Sequence, residues 1–223
     1  IYAKGGSLSF YRGSLRANTT NFNGYYVYGG GALLQSQSSI NITNVMVSGN
    51  TSSSTITPPQ GCGLSIYSCP DVKIINSIFH NNYAYHTQGN GSVVNASGNV
   101  LTIRSSTAVI TNVTFGKNAD YSSNFSIMDD YGSNLTFNNC IFTERFDFGS
   151  ATVSVFNHCI SKNSSADNDI LSSGNPTLNN FLNASIEFIN IDKGNYIPRY
   201  CSQHLNAGNN SYNTLETDLL GNP

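Results

Sequence analysis

The chain has 223 residues, of which 39% are hydrophobic and only 10% are charged, and its net charge is −2. Globular domains average about 25% charged residues, yet the 13 tyrosines and 12 phenylalanines supply enough apolar surface for a packed core and exclude intrinsic disorder. The lack of a basic patch argues against nucleic-acid binding, and no apolar run is long enough for a membrane-spanning helix. Nothing in the sequence indicates a cofactor or a metal site.

The first residues already belong to a repeated pattern. Ile1 is not an initiator methionine and no secretory leader is visible, so we expect either that a leader has been removed or that this is a segment of a longer polypeptide. A glycine pair at Gly5-Gly6 opens the first apolar strand, and Leu15 stands three places before Asn18.

The stretch from Gly29 to Asn50 shows this pattern in its clearest form. A glycine pair opens a short apolar strand, a polar turn follows, and a second strand ends in Val47, three places before Asn50. Copies recur at spacings of roughly 18 to 36 residues, a period that indicates a solenoid. The later copies contain the pairs Phe79/Asn82 and Phe115/Asn118 and the segments NNCIF (138–142) and FNHCI (156–160).

These repeats predict strands and no helix of ordinary length, because Gly, Asn, Ser or Pro interrupts the β-branched alternation every few residues. Short strands with one apolar face can close a core by coiling, so that each strand pairs in parallel with the strand one coil later. The sequence therefore predicts an all-β fold, a parallel β-helix of about six rungs over residues 1–166. Like residues would stack at about 4.8 Å, with Val47, Phe79, Phe115 and Phe142 in one core column.

One asparagine recurs at the same offset in each repeat. We expect these side chains to form a structural ladder at a corner of the helix, because asparagine amides can bond neighbouring backbone or each other there. In the NNCIF copy either Asn138 or Asn139 fits the position. The predicted ladder contains Asn44, Asn76, Asn112, Asn139 and Asn157.

The repeat fades from about Asp167. We expect residues 167–223 to form an irregular or β-rich cap on the last coil, because an open solenoid end would expose a strand edge. Loops of differing length between the coils, at 51–60, 82–95 and 116–132, are expected to carry recognition.

The repeats and the tail resemble known families. The GG-A-[LIV] and F-x-x-N pairing is similar to the repeats of the polymorphic outer-membrane protein adhesins of chlamydiae. The tail is similar to the end of bacterial β-helix surface proteins with a choice-of-anchor region. The resemblance implies a right-handed parallel β-helix outside the cell, adhesive and without shared catalytic residues. The matching tail positions are Asn175-Pro176, Tyr196-Ile197, Ser202, Asn206-Ala207-Gly208 and Asp218 to Pro223.

Parallel β-helices also include pectate lyases and polygalacturonases, so a polysaccharide lyase or glycoside hydrolase acting on acidic polysaccharide is the alternative function. Such enzymes need clustered carboxylates with a basic residue. Asp129 and Asp130 are adjacent and would point to opposite faces of a strand, and the histidine and R-x-K motif of polygalacturonases is absent. We therefore predict no catalytic site. The other residues weighed are Arg104, Asp167, Asp169, His80, His86, His158 and His204.

The cysteines suggest an oxidising compartment. Cys62 and Cys69 flank one strand and could close a loop by a disulfide. Cys140 and Cys159 occupy the same place in neighbouring copies, so stacking would bring them within disulfide reach. Cys201 is left over, and we interpret it as a lone buried thiol.

Sequons for N-glycosylation are dense, which favours a secreted glycoprotein if the source is eukaryotic. We expect Asn50, at a coil exit, and the sequons in loops to be the best acceptors, and Asn112, a ladder residue, to be the poorest. The other candidate sites are Asn18, Asn41, Asn90, Asn95, Asn124, Asn134, Asn163, Asn183 and Asn209.

Charge is unevenly distributed along the chain. Six cations and a single acid, Asp71, precede residue 120, and acids dominate after it. Such a dipole favours head-to-tail association, which generates fibres. We therefore expect an extracellular or cell-surface protein, non-enzymatic, that is structural or adhesive and is a repeating unit of a fibre. Its partners would be copies of itself and a glycan or cell-surface ligand.

Overall fold

The computed structural model describes residues 1–21, 28–95, 100–118, 127–143, 146–148, 153–162, 176–200, 202, 207–217 and 219. Within them the regular structure is β-strand, apart from two 3-10 turns at Ile191–Lys193 and Asn210–Tyr212. The strands are, in chain order, β1 (Tyr2–Lys4), β2 (Ser7–Arg16), β3 (Thr19–Asn21), β4 (Ala32–Gln35), β5 (Ser39–Ser48), β6 (Thr51–Ser54), β7 (Leu64–Tyr67), β8 (Val72–Ile75), β9 (Ile78–His80), β10 (Tyr83–Thr87), β11 (Val93–Asn95), β12 (Leu101–Arg104), β13 (Thr107–Thr111), β14 (Thr114–Phe115), β15 (Ile127–Tyr131), β16 (Asn134–Asn138), β17 (Ile141–Phe142), β18 (Phe146–Phe148), β19 (Val153–Asn157), β20 (Ile160–Lys162), β21 (Thr177–Asn179), β22 (Leu182–Ala184), β23 (Phe188–Asn190) and β24 (Asn195–Pro198).

The strands stack into three sheets that follow the axis of a solenoid. Sheet A has the order β1-β4-β7-β12-β15-β18, and sheet C has the order β3-β6-β10-β11. Sheet B has two segments that meet at a corner, a first segment with β8, β13, β16, β19 and β21 and a second segment with β9, β14, β17, β20 and β22. In the first two coils a single strand, β2 or β5, runs through both segments. Equivalent strands of neighbouring coils pair in parallel. The predicted parallel β-helix is therefore confirmed. Equivalent residues lie 32, 32, 36, 27, 19 and 22 positions apart in successive pairs of coils.

The core contains the predicted column of stacked residues. Val47 pairs with Phe79, Phe79 with Phe115, and Phe115 with Phe142. The ring centroids of Phe79 and Phe142 each lie 5.3 Å from that of Phe115, and all four side chains are buried. Because full burial of one such side chain contributes about 1.5–3 kcal/mol, this column is a main source of stability.

The glycine pairs allow close approach where each coil enters sheet A. A Cβ on Gly31 would collide with the carbonyl oxygen of Gly63, and a Cβ on Gly63 would lie 2.6 Å from the carbonyl oxygen of Val100. The same added atoms would also crowd the side chains of Asn50 and Asn82, at 3.2 and 3.3 Å. The repeated glycines are therefore a packing requirement of stacked coils.

Asn50 and Asn82 belong to a buried column of asparagines, which we call the inner ladder (Asn18, Asn50, Asn82 and Asn118). Asn18, Asn50 and Asn82 each donate through Nδ2 to the Oδ1 of the next member, at 2.8, 2.8 and 3.0 Å. Asn50, Asn82 and Asn118 are buried. The sequence showed these residues as the end of the F-x-x-N frame, but the predicted ladder was the other column.

The predicted asparagines Asn44, Asn76, Asn112 and Asn139 form a second column, the corner ladder, between the two segments of sheet B. Each has a φ between 50° and 57°, a left-handed conformation that asparagine tolerates better than most residues. Asn76 Nδ2 donates to Asn44 Oδ1 at 2.6 Å, and Asn139 Nδ2 donates to Asn112 Oδ1 at 3.0 Å.

Asn157 does not belong to the corner ladder, contrary to the prediction. It pairs with Asn138 and donates to that side chain at 2.8 Å. The corner position of its coil is taken by His158, with a φ of 52°. The reason is the register of sheet B, in which Cys140 and Cys159 occupy equivalent positions. The residue before each of them, Asn139 or His158, forms the corner.

The helix continues beyond the predicted boundary at residue 166. Strands β21 and β22 pair in parallel with β19 and β20 of sheet B, so residues 177–184 form part of a seventh coil. The rest of the described tail lies along the flank of the helix. The hairpin β23–β24 contacts His80 and Gly116, and residues 207–217, which we call the strap, contact the corner ladder.

Candidate binding face

The first segment of sheet B presents a continuous outer face, formed by residues 7–11 of β2, residues 39–43 of β5, and β8, β13, β16 and β19, which we call face B. Inward side chains such as Ile74 and Ile110 are buried, and the alternate positions Lys73 and Val109 are exposed. Parallel register aligns these outward residues in columns at about 4.8 Å. The central column contains Ser9, Asn41, Lys73, Val109, Thr136 and Val155.

Face B is nearly uncharged. Among its described outward side chains, Asp71 and Lys73 carry charge, and they pair with each other at 3.6 Å. The other positions present hydroxyl, amide and aliphatic groups. This chemistry suits a polymer with alternating hydroxyl and apolar surfaces, which describes a neutral polysaccharide chain.

A shallow groove follows the edge of face B where sheet A turns into sheet B. Its volume is about 290 Å³, near the lower end for pockets that enclose a small molecule. Ser68 and Ser105 line the groove at this corner, and both have left-handed φ values, of 54° and 49°. Their hydroxyl groups repeat along the groove. Its lining residues are Ser68, Pro70, Ser105, Ser106, Thr107, Gly132 and Asn134.

The side chains considered for catalysis are spread over different sheets. His80 ends β9 in sheet B, His86 lies on β10 in sheet C, and Arg104 ends β12 in sheet A. On β15, Asp129 is level with Ile103, and the register then shifts so that Arg104 is level with Tyr131. The side chains of Asp129 and Asp130 are outside the described part, as are Asp167, Asp169 and His204 entirely.

Arg104 connects three coils on the outer side of sheet A. Its Nη2 donates to Gln60 Oε1 at 3.0 Å, and its guanidinium lies 5.8 and 5.6 Å from the ring centres of Tyr28 and Tyr67. Burial raises the pKa of the Tyr67 phenol above its ordinary value. Cation–π contacts of this kind stabilise the fold, so Arg104 anchors the loop that ends at Gln60.

His80 is buried beneath the hairpin β23–β24. Its ring lies 5.5 Å from that of Tyr196, and neither ring nitrogen has a hydrogen-bond partner within the described residues. Burial, with a smaller contribution from the charge of Arg16, lowers the pKa of His80 below its ordinary value of 6.5.

This burial predicts that stability falls with acidification. Below about pH 6.5 the unfolded chain binds a proton at His80 that the native chain does not, so the free energy of unfolding decreases as the pH falls toward the native pKa. Urea titrations between pH 8 and pH 5 should show this loss, and His80→Leu should reduce it while leaving folding at pH 8 intact. An identical pH dependence in both proteins would contradict the assignment to His80.

The predicted disulfides are not formed. Cys62, Cys69, Cys140 and Cys159 are buried free thiols. Cys62 faces the carbonyl oxygens of Asn50 and Tyr83, whereas Cys69 belongs to the main core, so the two sulfurs flanking β7 point to different sides. Cys140 and Cys159 do stack, and the Sγ of Cys159 accepts from Cys140 N at 3.4 Å.

Burial lowers the reactivity of three of these thiols. It raises the pKa of Cys62 to about 11 and raises the pKa of Cys69 and Cys140, and the thiolate is the reactive species. Cys201 is outside the described residues.

The candidate glycosylation sites differ in exposure. Asn50 is fully buried in the inner ladder, so the expectation that it is a preferred acceptor is wrong. Asn112 and Asn209 are half-buried, and the side chain of Asn95 and residues Asn124 and Asn163 lie outside the described part. The sites with exposed side chains are Asn18, Asn41, Asn90, Asn134 and Asn183.

The described residues contain no group of three or more His, Cys, Asp or Glu side chains that could hold a metal ion. None of the described segments forms a helix long and apolar enough to cross a membrane. No protein-family model, curated protein or solved structure shows a significant match to this chain.

Proposed function

We propose that this protein is a non-enzymatic, adhesive β-helix of the extracellular surface, and that face B binds a neutral glycan chain. The observation that carries this proposal is the chemistry of face B, an array of hydroxyl, amide and aliphatic side chains bordered by an open groove. An array with a repeat of about 4.8 Å offers many weak contacts along a polymer. It offers few to a single small molecule.

Val109 tests the glycan proposal. It is 39% exposed in the central column of face B, and glutamate there would place a hydrated carboxylate beside Lys73 in the contact. Binding of Val109→Glu to immobilised neutral polysaccharides should weaken by about tenfold or more, which corresponds to about 1.4 kcal/mol.

Ile189→Glu is the matched control. Ile189 is also a β-branched strand residue, 49% exposed, but lies on the hairpin β23–β24. Its substitution should leave glycan binding unchanged. Equal losses in both variants, or no binding of any neutral polysaccharide by the natural chain, would reject face B as the glycan site.

The alternative enzyme function has its own test. Incubation with pectin, alginate and other acidic polysaccharides should yield neither new reducing ends nor unsaturated products. Product formation that Asp129→Ala or Asp130→Ala abolishes would replace the adhesive function with catalysis.

Self-association into a fibre is the second candidate function. The first coil has exposed cationic side chains at Arg12 and Arg16, and Tyr2 and Tyr11 are each 62% exposed, while acids dominate the sequence after residue 120. Opposite charges at two ends favour head-to-tail contacts. Light scattering should show assemblies that grow with concentration and dissociate in high salt, and a monomer at every salt concentration would exclude them.

A further inference from the structure

The strap (207–217) is held by the side-chain amides of the corner ladder. Asn139 makes a reciprocal pair with the backbone of Asn209. Its Oδ1 accepts from Asn209 N at 2.8 Å, and its Nδ2 donates to Asn209 O at 3.0 Å. A neighbouring strand offers a backbone the same pairing of acceptor and donor, so Asn139 can recognise a single residue in extended conformation, as Asn209 is with a φ of −114° and a ψ of 119°.

Two further members of the ladder contact the strap. Asn112 Nδ2 donates to Asn213 Oδ1 at 3.4 Å, and Asn76 Nδ2 donates to Thr217 O at 3.2 Å. Every fourth residue of the strap therefore meets the next coil, and the strap runs from the fifth coil back to the third. The spacing of the coils sets this match.

The start of the strap fits its position closely. A Cβ on Gly208 would lie 3.3 Å from Asn139 Cγ, so a larger residue would push the backbone away. Asn209 Nδ2 lies 3.4 Å from His158 Nε2, and the ring of Tyr212 lies 6.0 Å from that of His158. The corner ladder and His158, which takes the corner position in the sixth coil, thus contribute to one continuous track.

The strap is held without burial of its own side chains. All of its residues are exposed or half-exposed, and its 3-10 turn contains no buried residue. Hydrogen bonds at a surface are individually weak in net terms, and segments with few buried apolar contacts open most readily. The track can therefore exchange its occupant without unfolding the coils.

From these contacts we infer that the corner ladder is a docking track for a peptide that contains a tight turn, as the strap does at Asn210–Tyr212, and that the partner it fits is the 207–217 segment of a second copy of this chain. The inference is independent of face B, because the track lies on the opposite border of that face from the groove. Exchange of straps would link copies side by side.

The test uses the full chain and a fluorescent peptide of residues 207–217. Asn209→Pro in the protein removes the N–H donated to Asn139 and is incompatible with the φ of −114° at that position, so the protein's own strap should leave the track. This variant should bind the peptide at least about tenfold more tightly than the natural chain, in which the attached strap competes.

A second substitution locates the site. Asn139→Gly, added to Asn209→Pro, removes both bonds to the peptide backbone while glycine suits the φ of 52°, and peptide affinity should fall about tenfold or more. Asn81→Gly is the matched control, with a φ of 53°, an exposed side chain and a backbone contact to Lys117 instead of the strap. It should leave affinity unchanged.

A measurement on the natural chain keeps the inference testable if Asn209→Pro does not fold. Excess unlabelled peptide should accelerate hydrogen exchange in the attached strap, and a peptide with valine in place of Gly208 should not. Absence of both saturable binding and accelerated exchange, or loss of affinity in Asn81→Gly equal to that in Asn139→Gly, would overturn the docking track. Glycan binding by face B would be unaffected by either result.

Discussion

Asn82→Leu is expected to lower the free energy of unfolding by about 3–6 kcal/mol. Asn82 is fully buried at the centre of the inner ladder, where its Nδ2 donates to Asn118 Oδ1 and Val47 O, and its Oδ1 accepts from Asn50 N and Nδ2. Leucine satisfies none of these groups, and each unsatisfied buried polar group costs about 1–3 kcal/mol. Urea denaturation at neutral pH measures the loss.

The same substitution at Asn41 is the control for Asn82. Asn41 lies on β5 with its side chain exposed on face B, so Asn41→Leu should change stability by less than about 0.5 kcal/mol. Asn18→Ala, at the exposed end of the inner ladder, should cost about 1 kcal/mol. A cost for Asn82→Leu as small as that for Asn41→Leu would show that the inner ladder does not determine stability.

Gly116→Ala is expected to displace the hairpin β23–β24 from the helix. An added Cβ would overlap the ring of Tyr196, whose hydroxyl accepts from Lys117 N at 2.9 Å. Overpacking of this kind costs about 1–3 kcal/mol. Urea denaturation should show the loss, and hydrogen exchange should increase in residues 188–198. Exposure of His80 should also weaken the pH dependence of stability.

A double-mutant cycle isolates the contact between Gly116 and Tyr196. Tyr196→Leu removes the ring that an alanine at position 116 would strike, so Gly116→Ala in that background should cost less than about 0.5 kcal/mol. Contacting residues normally show coupling of about 0.5–3 kcal/mol. Additive losses in the double variant would place the strain elsewhere in the fourth coil.

The repeat was sufficient to predict the helix but not the role of each asparagine. Two asparagines recur in the second, third and fourth copies, one in the strand-to-strand turn and one after the F-x-x frame. Both columns stack, because any residue repeated at the coil period must. Only packing shows that Asn50 and Asn82 are buried, and that Asn76, Asn112 and Asn139 contact the strap.

The cysteines and the tail show the limits of spacing arguments. Cys62 and Cys69 are close in sequence, but their side chains lie in separate buried clusters. The segment 177–184 has no glycine pair, yet it joins sheet B because its alternation and Asn180 suffice for one more coil. A segment can thus pair with the sheet even where its sequence no longer matches the motif of the earlier copies.

The candidate site was only partly accessible from sequence. Loops were expected to carry recognition, whereas the described surface with the most regular chemistry is face B, on the strands themselves. Its columns depend on register, since a shift of one residue would exchange Val109 for the buried Ile110. The coils differ in length, so the register between their strands is set by the packing of the whole stack.

The sequence by itself determined the parallel β-helix, its core column and the corner ladder as far as Asn139, because these depend on a local period that each copy repeats. The tertiary structure decided what lies outside the period. It placed the hairpin on His80 and Gly116, the strap on the corner ladder, and the four described thiols in the core. These contacts join residues from distant coils, and their geometry follows from how the coils stack.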